Sequence, residues 1–196
     1  MKKQLTALLL GSILLTFSCK KEDKPKNEEP VNQRPYYANF SFAGKGYKID
    51  YPEATAQYIS SLEHSVGGIA IVRPLSTVDP SLEVTLRFDH HPTHEEVLAL
   101  KGRTLPTALQ DGITPRIYFE ENYDLPRWTT YDTMDVAAYY IKIESVKWVK
   151  ADTTIFNPVD VYEVKGSGRI LLEEDTQRDV LQDLQFHMLL TRVKES

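Results

Sequence analysis

The stretches "DVYEVKGSGRILL" (160–172) and "LQFHMLLTRV" (184–193) decide the fold, because each alternates apolar and polar residues over the length of a long strand. One parity of the first holds Tyr162, Val164, Gly166, Gly168, Ile170 and Leu172, and one parity of the second holds Leu184, Phe186, Met188 and Leu190. The two glycines indicate that the first strand either leaves room there for a bulky neighbouring side chain or is kinked. His187 falls on the opposite face of the second strand and is predicted to be a surface or edge residue.

Similar alternation predicts strands in the preceding part of the chain. "LEVTLRF" (82–88) places its apolar residues on one face, and "GGIAIVRP" (67–74) is typical of a short central strand that ends at Pro74. "ANFSFAGKGYKIDY" (38–51) predicts a hairpin that turns at residues 44–46.

"AYYIKIESVKWVK" (138–150) predicts a strand with one irregularity. Its apolar residues change parity at Glu144 and Ser145, and such a change indicates a β-bulge that bends the strand.

Helix is scarce in this sequence. "THEEVLALKG" (93–102) predicts a helix of about two turns, with Thr93 and Glu96 at capping-box spacing and Gly102 just beyond its end. "TQRDVLQDL" (176–184) is a weaker helix candidate. Many strands and little helix predict a mainly β fold, an antiparallel β-sandwich or jelly-roll-like domain with one or two short helices.

The charge balance limits the partners of residues 36–196, whose length fits a single domain. The first 35 residues hold seven Lys or Arg and four Asp or Glu, which leaves 16 basic and 24 acidic residues in the rest of the chain. No basic stripe interrupts this acidic balance. Nucleic acid and anionic membrane surfaces are therefore not expected as partners of the domain.

The N-terminus has the pattern of a targeting segment. Lys2 and Lys3 precede an apolar run at residues 5–17, which is too short to span a bilayer. We therefore predict that residues 1–18 form a signal peptide. Cys19 follows directly and, as the only cysteine of the chain, cannot form an internal disulfide.

"LLTFSC" (14–19) resembles a bacterial lipobox, although Thr16 and Phe17 depart from its usual pattern. The following "KKED" (20–23) is similar to the start of surface lipoproteins of the Bacteroidota. The resemblance implies a lipid on Cys19 and a surface-export signal formed by Lys21, Glu22 and Asp23. It also implies a location in the outer membrane at the cell surface, with the periplasmic face as the alternative.

Residues 19–35 are predicted to form the lipidated cysteine and a flexible charged tether, because they contain almost no apolar side chains. The domain that follows is similar in pattern to small Bacteroidota lipoproteins of unknown function, in which a tether precedes a β-domain that ends in two long strands. This resemblance implies a fold and no activity.

The stretch "FDHHPTHEE" (88–96) concentrates three of the five histidines of the chain. A zinc site needs three or four converging ligands, and His90, His91 and His94 are candidates. Pro92 and the predicted helix cap separate the histidines, so an ordinary strand-to-helix turn with exposed imidazoles is the competing interpretation.

The stretch "IYFEENYDLPRWTTYD" (117–132) alternates poorly and is predicted to be a long loop. Tyr123, Arg127, Trp128 and Tyr131 are candidates for ligand binding, since aromatic faces beside hydrogen-bonding groups suit sugar rings. Aromatic side chains in long loops also fold inward to cover the core, which is the competing interpretation.

No sequence motif indicates catalysis or a cofactor. The chain has no nucleophile elbow, phosphate loop, Cys–His pair or zinc signature. We therefore expect a non-catalytic binding module for a glycan or protein, with no cofactor and no catalytic residue. The alternatives are a structural accessory subunit of an outer-membrane complex and a metal-dependent enzyme that uses the histidines at 90, 91 and 94.

Overall fold

The strands of this chain pair into one antiparallel sheet. A computed structural model describes residues 36–51, 57–58, 64–71, 79–122, 125–153 and 158–194. The elements are β1 (Tyr36–Phe42), β2 (Lys45–Tyr51), β3 (Gln57–Tyr58), β4 (Ser65–Ile71), β5 (Ser81–Phe88), α1 (His94–Leu98), β6 (Thr104–Leu105), β7 (Ile113–Glu120), β8 (Trp128–Thr130), β9 (Tyr140–Asp152), β10 (Val159–Glu174) and β11 (Gln177–Val193). The predicted signal peptide, Cys19, the export signal and the tether lie outside the described residues.

The strand order shows that the sheet closes over one core. Neighbouring strands follow the order β2-β1-β11-β4-β5-β7-β8-β10-β9-β6, β3 pairs with β4, and β10 also pairs with β11. The pairings of β10, β11, β4, β5, β7 and β8 therefore form a closed circuit. The predicted mainly β, antiparallel fold is confirmed.

Ring contacts show which strands face each other across the core. Phe40 in β1 lies 5.1 Å from Phe119 in β7, measured between ring centroids. Phe42 lies 4.9 Å from Trp128 in β8. Because several strands separate β1 from β7 in the hydrogen-bonded order, these contacts join two layers, as in a sandwich.

The longest elements are β10 and β11, which pair from Val159 opposite Val193 to Glu174 opposite Gln177. The apolar parity that the sequence indicated for each strand is buried, as predicted. His187 lies on the other face, as predicted, but it is not an edge residue: it pairs with Tyr37 and Lys165, and its side chain is only 13% exposed. Its Nε2 lies 2.8 Å from Glu163 Oε1.

The helix predicted at 176–184 is wrong, because residues 177–184 belong to β11. Asp183 has a φ of 53° at a register shift opposite Gly168 and Ile170. This bulge lets Leu181 and Leu184 both point into the core although two residues separate them. A spacing of three is also helical spacing, which explains the wrong prediction.

The bulge predicted in β9 is confirmed. Ile143 pairs with Gly166 and Ser145 pairs with Lys165, so Glu144 is the extra residue.

The first hairpin differs from its prediction, since it turns at Ala43 and Gly44, with φ of 50° and 76°. Two such left-handed residues match the twist of paired strands better than a longer loop at 44–46.

The helix α1 has the predicted capping box but is shorter than predicted. Thr93 accepts a hydrogen bond from the Glu96 backbone N–H, and Glu96 accepts one from the Thr93 backbone N–H. The helix ends at Leu98, because the chain then joins β9: Gly102 N–H donates to Ile143 O at 2.7 Å.

Within the described ranges, no helix is long and apolar enough to cross a membrane. Pro74, the predicted end of β4, lies outside those ranges.

The close contact between β10 and β11 at Gly166 gives the first testable prediction. A Cβ at this position would lie 2.4 Å from Phe186 Cζ and 2.7 Å from Lys142 O. We expect Gly166→Ala to lower the free energy of unfolding by about 1–3 kcal/mol, because the overpacked ring has to move. Urea denaturation of the full chain measures this loss.

The matched control is Gly46→Ala in β2, since nothing lies within 4 Å of the position that the new methyl group would occupy. We expect the stability of this variant to stay near that of the parent chain. Equal stability of both variants would contradict the close contact at Gly166.

Candidate functional site

The histidine-rich stretch lies where β5 passes into α1. His90 sits between two carboxylates, with Nδ1 2.6 Å from Asp89 Oδ1 and Nε2 2.9 Å from Glu96 Oε1. These hydrogen bonds, first that to Asp89 and then that to Glu96, raise the pKa of His90 above its ordinary value. Hydrogen bonds from the Thr93 N–H and hydroxyl, and then from His90, lower the pKa of Glu96 to about 2. His90 therefore strengthens the helix cap.

His94 points in another direction. Its Nδ1 lies 2.8 Å from Tyr162 Oη in β10, and its ring lies 6.3 Å from the Trp148 ring in β9. Burial raises the pKa of Tyr162 to about 12, so this phenol stays protonated at neutral pH. His94 thus joins α1 to the sheet.

The three histidines are not brought together as ligands. The described part of the chain contains no group of three His, Cys, Asp or Glu side chains placed to hold a metal ion. Both ring nitrogens of His90 face carboxylates, and His94 faces a phenol. The metal-dependent alternative for His90, His91 and His94 has no supporting geometry here.

A buried ion pair that the sequence did not indicate fixes this corner. Arg192 Nη2 donates to Asp160 Oδ2 at 2.6 Å, and Arg192 Nη1 donates to Pro92 O at 2.7 Å. Trp148 Nε1 donates to Asp160 Oδ1 at 3.4 Å. Burial alone would raise the pKa of Asp160, but hydrogen bonds from Arg192 and Trp148 hold it below its ordinary value. Asp160 and Arg192 are paired across β10 and β11. The sequence feature that could have predicted this ion pair is the opposite charge of the two residues near the ends of the long strands.

A second cluster of polar side chains covers the outer face of β5, β7 and β8, which we name the β7–β8 face. Register places Glu83 opposite Tyr118, and Tyr118 opposite Thr129. The face also holds Ser81, Arg87, Arg116, Glu120, Arg127, Tyr131 and Asp132. Thr130 points inward, where its hydroxyl bonds to the backbone N–H and O of Ile117 at 2.6 and 3.1 Å and fixes β8.

The first cleft of the β7–β8 face has a volume of about 210 Å³ and is lined by Ser81, Glu83, Tyr118, Glu120 and Arg127. Arg127 is its centre. The guanidinium lies 4.3 Å above the Tyr118 ring, Nε lies 3.3 Å from Glu120 Oε1, and Nη2 is bonded to Glu83. Arg127 therefore contacts both carboxylates of this lining, which holds two acidic side chains for one basic one.

Two side chains outside the lining brace the first cleft. Thr85 Oγ1 donates to Glu83 Oε1 at 3.0 Å, and Arg87 Nη2 donates to Tyr118 Oη at 3.0 Å. Thr85 is fully buried, so the carboxylate that it holds is fixed against the sheet.

The second cleft adjoins the first, has a volume of about 400 Å³, and is lined by Arg116, Thr129, Thr130, Tyr131, Asp132 and Glu173. Arg116 and Asp132 form two hydrogen bonds, one of them 3.1 Å long between Nη2 and Oδ2. Arg178 stacks on Tyr131 at 3.7 Å, and its Nε lies 3.6 Å from Glu173 Oε2. The second cleft thus also combines arginine–carboxylate contacts with a guanidinium stacked on a tyrosine, but it divides them between two arginines.

The predicted ligand-binding residues separate into three groups. Arg127 and Tyr131 line the clefts. Trp128 packs inward against Phe42, in agreement with the competing interpretation. Tyr123 lies outside the described residues.

The long loop predicted at 117–132 is wrong in part, because residues 117–120 complete β7 and residues 128–130 form β8. Ile117 and Phe119 point inward, while Tyr118 and Glu120 point outward. Tyr118 points outward although it is aromatic, so the alternation of inward apolar and outward polar residues was not evident in the sequence. Sequence analysis missed Tyr118, and it also missed Glu83, Glu120 and Arg116.

The ion pair at the corner gives the second testable prediction. Arg192→Met leaves Asp160 buried without its strongest partner, and loss of one member of a buried pair costs about 3–5 kcal/mol. We expect a fall of this size in the free energy of unfolding, measured by urea denaturation. The control, Lys165→Met, changes an exposed residue of β10 and should stay close to the parent. Equal losses in the two variants would refute a special role for the pair.

Comparisons with known proteins identify no relative. No family model matches the chain, and neither a curated protein nor a solved structure is significantly similar to it.

Proposed function

We propose that this chain is a non-catalytic binding module that holds a glycan or protein ligand on its β7–β8 face. The observation that carries this proposal is the pair of adjoining clefts, each built around an arginine that is tied to carboxylates. Clefts with a few fixed polar groups beside aromatic side chains are typical of ligand sites.

The composition of the face supports binding. Its positive charge comes from Arg87, Arg116 and Arg127, and its aromatic rings are Tyr118 and Tyr131. Arg178 of β11 stacks on Tyr131 at its edge. Arginine and tyrosine are enriched where proteins bind partners, because both offer flat surfaces and fixed hydrogen bonds. Three exposed lysines, by contrast, lie away from this face on β9 and β10: Lys142, Lys147 and Lys165.

The pairing of charges argues against catalysis. A general acid or base has to exchange a proton with a substrate. In the clefts, Glu83 and Glu120 are tied to Arg127, and Asp132 is tied to Arg116. These carboxylates are suited to hold groups in place rather than to transfer protons.

The N-terminal residues complete the proposal. A lipid on Cys19 anchors the module in the outer membrane, and Lys21, Glu22 and Asp23 direct it to the cell surface. One membrane anchor with several acyl chains holds a protein far more firmly than a single chain. The charged tether then separates the binding face from the membrane.

The anchor gives the third testable prediction. Cys19→Ser should abolish labelling of the chain by a palmitate analogue and move it out of the membrane fraction, because the lipid acceptor is lost. A triple Ala variant of Lys21, Glu22 and Asp23 should keep the label but resist protease added to intact cells. A Cys19→Ser chain that still carries the label would overturn the anchor.

The binding face gives the fourth testable prediction. We expect Arg127→Ala in the detergent-solubilised full-length protein to weaken binding of its ligand by about tenfold or more, as for the loss of an arginine anchor at the centre of an interface. Glycan arrays and affinity capture identify the ligand, and its affinity for each variant is then measured with the purified ligand. Lys147→Ala, on another strand, is the control and should bind like the parent. Unchanged binding in both Arg127→Ala and Arg116→Ala would sink the proposal.

A further inference from the structure

In both clefts the charged side chains contact groups of opposite charge, although the first cleft has two carboxylates for one arginine. Arg87, which donates to Tyr118 Oη, adds a positive charge beside the first cleft. In the first cleft, the Arg127 guanidinium bonds to Glu83 and lies 3.3 Å from Glu120. In the second cleft, Arg116 bonds to Asp132 through both of its terminal nitrogens. Neither arginine of the clefts is therefore available as an uncompensated cation for an anionic ligand.

The acidic groups are compensated as well. Glu83 accepts from Thr85 in addition to Arg127, and Glu173 lies beside Arg178. The side chain of Glu83 is only 15% exposed, so little of its charge faces solvent. Glu120, the other carboxylate of the first cleft, lies 3.3 Å from Arg127 Nε, so a cationic ligand would find no unpaired carboxylate there.

What the clefts do offer is a fixed set of donors and acceptors. An arginine has five N–H groups and a carboxylate has about four acceptor sites, so the ion pairs leave part of both sets for a ligand. Ser81 and Thr129 add hydroxyl groups at the two linings. Groups that donate and accept at once, such as the hydroxyls of a sugar, fit this mixture.

The two clefts form one continuous surface. Tyr118 pairs with Thr129 across β7 and β8, and Tyr131 follows Thr129 by two residues on the same side. With strands about 4.8 Å apart and a rise of about 3.4 Å per residue, Tyr118 and Tyr131 lie about 8 Å apart along a diagonal. The aromatic–guanidinium stacks at both ends give each cleft a flat wall.

From these observations we infer that the ligand of the β7–β8 face is an uncharged oligosaccharide, with neighbouring sugar units in the first and second clefts. This inference rests on the proposed function and narrows it. Binding depends on hydrogen bonds to groups that are already held in place, so little ordering is required when the ligand arrives. It does not depend on net charge.

The fifth testable prediction compares neutral, uronic-acid and amino oligosaccharides on an array, with the full-length protein in detergent. We expect neutral oligosaccharides to bind and the charged ones to fail. Titration of the best neutral ligand should give a Kd that changes less than about twofold between roughly 50 and 500 mM NaCl, because screening weakens only ionic contacts.

Arg127→Lys provides the sharpest variant, since it keeps the positive charge but loses the planar fork and the stack on Tyr118. We expect a loss of about tenfold or more in affinity for the neutral ligand. Lys147→Arg, a charge-preserving change on β9, is the matched control and should leave the affinity unchanged. Thermal unfolding of each variant verifies that the fold is intact.

The remaining outcomes separate this inference from the proposed function. Preference for acidic or amino oligosaccharides, or an affinity that falls steeply with salt, would overturn the neutral ligand and leave the binding face in place. A protein ligand that Arg127→Ala abolishes, with no sugar bound, would do the same. Ligand binding that is unchanged in both Arg127→Ala and Arg116→Ala would show that the β7–β8 face is not the binding site.

Discussion

The pairing of β10 with β11 is the constraint on which the rest of the structure depends. These strands of 16 and 17 residues pair along nearly their whole length. The other edge of β10 pairs with β9 and β8, and the other edge of β11 pairs with β1 and β4. Both layers of the sheet therefore start from one hairpin, and its bulges and the contact of Phe186 with Gly166 set how the layers bend over the core.

The same hairpin carries both polar clusters. At one end, Asp160 and Arg192 hold the histidine-rich stretch through Pro92 O. At the other end, Leu172 and Glu173 of β10 pair with β8, and Glu173 lines the second cleft. The buried ion pair and the binding face are thus features of one structural unit.

The sequence predicted the elements whose alternation is simple. Strands β5 and β10 followed their apolar parity, and Glu144 was identified as a bulge because the parity changed there. The helix predicted at 176–184 was wrong because a bulged strand and a helix can both place residues three positions apart on one face. The bulge at Asp183 does this for Leu181 and Leu184. The turn of the first hairpin is set locally by two left-handed residues, Ala43 and Gly44. Helix length failed because the long-range hydrogen bond of Gly102 to Ile143 decides where the helix ends.

The site was harder to predict than the fold, because its residues come from separate strands. Arg127 was a candidate from its own neighbourhood, but its carboxylate partners lie 44 and 7 positions away in β5 and β7. Histidines that are dense in sequence, by contrast, diverged in space, since His90 bonds to Glu96 of the helix cap and His94 contacts Tyr162. Proximity along the chain is therefore weak support for a site, whereas register across strands is informative.

Register also explains why the face is built on strands rather than on loops. Glu83, Tyr118 and Thr129 occupy one line across three paired strands, so their separations are set by the sheet and not by their own rotamers. Arg127 then bonds to Glu83 and stacks on Tyr118, and Thr85, on the same face of β5, donates to Glu83. Because these groups share partners, the effects of changing them will not be additive, and the cleft responds to a ligand as one unit.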